Sequence, residues 1–116
     1  MTVGMLNEAV QNVVDELDAA GITALTDIRN VQPPCVLIDP PTIRGISANL
    51  VTLDIPVIVV APPPGNADAQ TWLLDTADTI MATVPVITGN PTTLTAGQME
   101  MPAYNLTVTL TFRRDP

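Results

Sequence analysis

The chain has no histidine and no lysine, one cysteine, and a single tryptophan, tyrosine and phenylalanine among its 116 residues. The missing histidine removes the commonest general base and the commonest neutral metal ligand, and it rules out a Ser–His or Cys–His nucleophile pair within the chain. Without lysine, the four arginines face twelve acids, for a net charge of −8. Binding to a phosphate backbone needs clustered cations that release counterions, and this chain lacks them. One cysteine cannot close an internal disulfide, so nothing points to an oxidising compartment. The longest apolar run, around "IPVIVVAPPP", is too short to span a bilayer and follows Asp54. The first twenty residues lack the basic start and apolar centre of a signal peptide. Together these absences lead us to expect a soluble protein of a reducing cytoplasm.

What is present is an ordinary globular composition, 47% hydrophobic, which excludes a disordered chain. At this length a single domain is expected, spanning residues 1–116, since two pieces would each be too small for a core. With so few aromatics, that core must come from Val, Ile, Leu, Ala and Met.

Val3, Leu6, Val10, Val13, Val14 and Leu17 recur at spacings of three and four, predicting a first helix with one apolar stripe, capped by Thr2 and stopped at Gly21. A short extended piece is expected before Pro33. "PPCVLIDPP" then predicts a short strand with proline-fixed ends. In "LVTLDIPVIVV", Pro56 implies an edge position or a bulge, in one interrupted strand or two that meet there. The unalternated Ile58-Val59-Val60 implies cover on both faces. Asn66 is a candidate N-cap for a second helix, whose stripe is Leu73, Leu74, Ala77, Ile80, Met81 and Val84, ended by Pro85. Residues 88–102 are rich in turn formers, predicting a mobile loop or a ragged hairpin. Finally Tyr104, Leu106, Val108, Leu110 and Phe112 alternate with polar residues, a half-buried strand with a threonine-lined outer face. The order helix, strand, strand or strands, helix, strand predicts an α+β fold, a mostly antiparallel sheet with both helices on one face.

No pattern of catalytic or cofactor-binding residues emerges. Cys35 opens an apolar strand with no cation or base nearby, which favours an inert thiol over a nucleophile. The strand-to-helix turn "APPPGNADAQ" has one glycine, no lysine and three prolines without an N–H for an anion, which favours a stiff turn capped by Asn66 over a nucleotide loop. Asp15, Glu16 and Asp18, like Asp75 and Asp78, are spaced as solvated helix faces are, although paired acids also serve metal-dependent hydrolases. No metal, cofactor or catalytic residue is assigned, and an enzyme is not expected. The candidate contact residues are the stripe Thr107, Thr109 and Thr111, the arginines Arg29, Arg44, Arg113 and Arg114, and Met99 and Met101 beside the turn-rich segment. Arginine's fork suits pairing with carboxylates between subunits, although screening or solubilising a chain end also accounts for it, and methionine's flexible side chain suits docking on a partner or core filling by a folded-back loop equally.

The amphipathic start ending "LDAAGITALTD", the framed strand "PPCVLIDPP", the run "LVTLDIPVIVVAPPPGN" into the helix "ADAQTWLLDTADTIMA", and the strand "MPAYNLTVTLTF" together resemble the tail terminator proteins of long, non-contractile-tailed phages, especially those of actinobacteria. The similarity runs from about Leu6 to Phe112 and is one of fold pattern. It implies a virion structural protein, assembled in the host cytoplasm. Its homo-hexameric ring would cap the head-proximal end of the tail tube, stop tube growth and meet the head-side connector. The major tail tube protein and that connector or stopper would be its partners. DNA would pass through the ring without specific binding, and no membrane or cofactor is implied. Another neck protein, a connector or stopper, is the nearest alternative. A small metal-dependent hydrolase or a ligand-binding module are alternatives from other classes.

Overall fold

The computed structural model describes residues 5–27, 29, 32, 34–45, 47, 49–62, 67–96 and 98–113. The expected caps Thr2 and Asn66, together with Val3, Pro33 and Arg114, lie outside the described residues. The elements run α1 (Met5–Ala19), β1 (Ala24–Leu25), β2 (Cys35–Ile38), β3 (Thr42–Gly45), β4 (Leu50–Val60), α2 (Ala67–Thr83), β5 (Val86–Ala96) and β6 (Met99–Arg113). The six strands make one sheet in the order β1-β2-β4-β6-β5, with β3 also on β4. All pairings are antiparallel except that of β1 with β2. The fold is α+β.

Both helices bury their stripes on one face of the sheet. Val13 and Leu17 of α1 and Leu73, Ala77 and Ile80 of α2 pack on Leu53, Ile55, Val57 and Val59 of β4 and Leu106 and Val108 of β6. Alternation places those strand residues on a common face. Each fully buried aliphatic side chain contributes roughly 1.5–3 kcal/mol. The α2 stripe is narrower than its sequence implies: Leu74 and Met81 are 50% and 58% exposed. They lie one residue past Leu73 and Ile80, which already fill the contact with the sheet, so a further helical step carries them off it.

Helix α1 stops in a Schellman motif. The amide of Ile22 donates to the Leu17 carbonyl at 2.8 Å and that of Gly21 to Asp18 at 3.0 Å. Gly21 makes the reversal at φ 88°, a conformation open to glycine at little cost. Ile22 then packs against the same core as Leu17.

The sequence expectation for Pro56 is corrected. Strand β4 is continuous and central, flanked by β6 on one side and by β2 and β3 on the other, with an unbroken register through Pro56. Antiparallel strands direct the N–H and C=O of alternate residues to alternate neighbours. The Pro56 carbonyl accepts from the Asp39 amide at 3.0 Å, so Pro56 faces the β2–β3 side. There β2 ends opposite Val57 and β3 begins opposite Asp54. The proline thus sits where its neighbour strand changes, and its missing N–H breaks no rung.

Across 88–102, β5 and β6 pair from Val86↔Val108 to Ala96↔Met99, with one irregularity between Val86 and Thr88. The turn formers Gly89, Asn90 and Pro91 lie within β5. By the same alternation the even residues of β5 from Thr88 onward face β6, which puts the missing N–H of Pro91 on the open edge. At this end Leu37, Ile58, Val60, Met101 and Ala103 form a second buried cluster on the face away from the helices. Leu25 of β1 and Leu94 of β5 both pack against it, each beside its in-register partner, Leu37 of β2 and Met101 of β6. Val59 is buried in the helix-side core and Ile58 and Val60 in the second cluster, so this stretch is covered on both faces.

Candidate interaction surface

The outer face of the sheet begins beyond that second cluster. Residues 107, 109 and 111 of β6 alternate away from the helices, opposite Pro56, Asp54 and Thr52 of β4. Thr42 and Arg44 of β3 stand on the same face, opposite Asp54 and Thr52. Register alone therefore makes a polar patch across three strands.

Its centre is Asp54. Arg44 grips the carboxylate with both arms of its guanidinium, Nε to Oδ2 at 2.8 Å and Nη2 to Oδ1 at 3.0 Å. Thr109 donates its hydroxyl to Oδ1 at 2.8 Å. These bonds, Arg44 first and Thr109 second, hold the Asp54 carboxyl below its ordinary range against a smaller opposing effect of desolvation. Beside it the hydroxyls of Thr52 and Thr111 pair at 2.8 Å. Thr52 is buried at 3% exposure, with its hydroxyl satisfied by this bond. The patch is a polar surface whose side chains satisfy one another by hydrogen bonds between strands.

The structure unites only some of the sequence-predicted contact residues. Thr107, Thr109, Thr111, Arg44 and, at the end of β6, the exposed Arg113 share this face. Arg44 is engaged within the chain by Asp54. Arg29 is elsewhere, closed onto Asp27 by Nη2 to Oδ2 at 2.7 Å and by its own backbone amide at 2.9 Å. That pair holds Asp27 below the usual carboxylate range. Of the two readings open for Met101, docking and core filling, the structure takes the core: it is 1% exposed, clustered with Leu37, Ile58, Val60 and Ala103. The side chain of Met99 lies outside the described residues.

Residue spacing gave no hint of Asp54, which meets Arg44 only through the β3–β4 register. Cys35 is half-buried and burial raises its thiol pKa, as expected of packing rather than nucleophilic attack. Asp15, Glu16, Asp18, Asp75 and Asp78 are exposed on the helices. Among the described residues no group of three metal-ligating side chains comes together, and no helix is long and apolar enough to cross a membrane. No protein-family model and no curated protein matches the chain.

Proposed function

We propose that the chain is a ring-forming cap of a phage tail tube, of the tail-terminator kind, acting as a structural rather than a catalytic protein. The observation that carries the proposal is the outer sheet face, where Arg44, Asp54, Thr109, Thr52 and Thr111 satisfy one another and leave a firm polar surface. Such a surface suits repeated contact with identical neighbours or with the rim of a tube, since it presents hydroxyls without a fixed ligand pocket. The charge distribution supports a DNA channel. Arg29 and Arg44 are each tied to a carboxylate, which leaves Arg113 on the outer face against an acid surplus that repels a passing phosphate backbone. The six copies, the tube protein and the head-side connector as partners, and a place in the virion all belong to this proposal.

Co-sedimentation with purified tail tubes and, separately, with portal complexes tests it. The expected result is binding at one end of the tubes and arrest of their growth. Binding to the portal complex alone would transfer the protein to another position in the neck.

A further inference from the structure

Strand β6 outruns its edge neighbour. Pairing with β5 starts at Val86↔Val108, and beyond it the Thr109 amide donates to the Pro85 carbonyl at 3.3 Å. Since Pro56 turns its backbone away from β6, alternation turns that of Asp54 and Thr52 away as well. Their partners Thr107, Thr109 and Thr111 therefore direct N–H and C=O to the β5 side. At Thr111 no strand lies on that side among the described residues. Thr111 is thus a free sheet edge, of the kind an extended chain completes.

Beside this edge, on the helix side, α1 and the end of β6 enclose an open cleft of about 360 Å³. Val13, Leu110 and Phe112 give it an apolar floor, and the exposed Glu8, Asn12 and Glu16, each four residues from the next, line its α1 wall. Neither glutamate meets a cation: among the described residues the ion pairs are Arg29–Asp27 and Arg44–Asp54. Carboxylates above an apolar floor complement a segment that carries both cations and an apolar side chain.

We infer that the cleft receives an extended, basic segment of a different protein, which pairs with the β6 edge at Thr111, lays an apolar side chain against Leu110 and Phe112, and sets cations against Glu8 and Glu16. Charge disfavours a second copy as the occupant. The chain has a net charge of −8 and no lysine, and Arg29 and Arg44 are already tied within it. Strand geometry fixes the pattern of the segment. Alternate side chains face the cleft, and the spacers between them, on the face of Thr111, carry the bonds to the edge. Glu8 and Glu16 are ~12 Å apart along the helix, and residues four apart in a strand span ~13 Å. Cation, spacer, apolar residue, spacer, cation is the matching order. Arginine suits both ends, because its stem packs on apolar surface while its fork meets a carboxylate. Cleft and edge carry this contact without the ring reading above.

The probe is a fluorescein-labelled peptide, Arg-Thr-Leu-Thr-Arg with both termini blocked, titrated with the full chain at low salt and read by fluorescence anisotropy. Saturable binding is expected. Glu8→Gln with Glu16→Gln should weaken it roughly tenfold, and so should proline at both threonines of the peptide, which removes the edge-facing N–H groups. Asp75→Asn with Asp78→Asn takes as much charge from α2, outside the cleft, and should change binding by less than about twofold. Both variants alter exposed side chains and should keep the wild-type circular dichroism spectrum. Equal loss in the two double variants would reduce the contact to general acidity and overturn the inference. Undiminished binding of the proline peptide, or of one with serine for leucine, would also overturn it, as would no binding at all. Self-association or calcium binding that is lost in Glu8→Gln with Glu16→Gln, with no peptide bound, would give the cleft to a second copy or to an ion instead.

Discussion

The amide of Asp39 donates to the carbonyl of Pro56 across 3.0 Å, and this one bond ties the Pro40-Pro41 link to the proline of β4. Asp39-Pro40-Pro41 is the link that takes the backbone from β2 to β3 along the same side of β4. Pro56 marks the point on β4 where that link crosses. A residue without an N–H suits the position because neither strand is there to accept one. The rigid link sets both registers at once: β2 against the core-forming half of β4, and β3, with Arg44, against the half that carries Asp54.

Asp54 predicts a pH dependence. Arg44 and Thr109 lower its folded pKa, and an unfolded carboxyl titrates near ~4. The folded state therefore gains stability above that range and loses it as pH falls through the lowered folded value. Asp54→Asn is expected to flatten the decline of the urea midpoint as pH falls below about 5. Asp27, held down in the same way by Arg29, keeps part of the slope. A decline identical to that of the wild type would show that the Arg44 grip adds nothing in solution.

Gly21 predicts a cost for a side chain at the end of α1. Its φ of 88° is strained for alanine, so Gly21→Ala is expected to destabilise the fold by about 1 kcal/mol in chemical denaturation. Gly21→Asn should cost less, because asparagine tolerates this region better. Equal stability of glycine and alanine would mean that α1 ends differently.

Gly89 and Leu106 predict a coupled pair. A Cβ at residue 89 would stand 2.8 Å from Leu106 Cδ2, and Leu106 is 2% exposed in the core. Gly89→Ala is expected to cost about 1–3 kcal/mol through overpacking. Leu106→Val withdraws the offending methyl group, so the double variant should be more stable than the two single costs added together. Simple additivity would place the two residues out of contact.

Cys35 predicts slow thiol chemistry. Half-buried at the start of β2 and raised in pKa by burial, it should react with a small disulfide reagent far more slowly in the native protein than in urea. Rates that match would reopen a reactive role.

Much of this architecture is written in local pattern. The alternation of β6 assigns Leu106 and Val108 to the core and Thr107 and Thr109 to the outer face, because a strand has only two sides. The spacing of Val13 and Leu17 does the same for α1. The misjudged residues are those whose surroundings depend on partners distant in sequence. Pro56 looks like an edge residue until β2 and β3 are seen to share one side of β4. Leu74 and Met81 belong to an apolar stripe wider than the sheet contact. Met101 lies next to turn formers, and its sequence surroundings leave docking and core filling open until strands β2, β4 and β5 are seen to surround it. The Arg44–Asp54 grip depends on a register that spacing does not encode, so the centre of the polar face was not legible. Of the loop and the ragged hairpin expected over 88–102, the pairing of β5 with β6 takes the hairpin, and Gly89-Asn90-Pro91 lies within its edge strand, where the outward proline costs no rung.

The most direct measurement is native mass spectrometry paired with negative-stain imaging of the chain mixed with purified tail tubes. The account predicts a closed ring of six copies at one end of each tube. A chain that remains monomeric while tubes grow past it unchanged would contradict it.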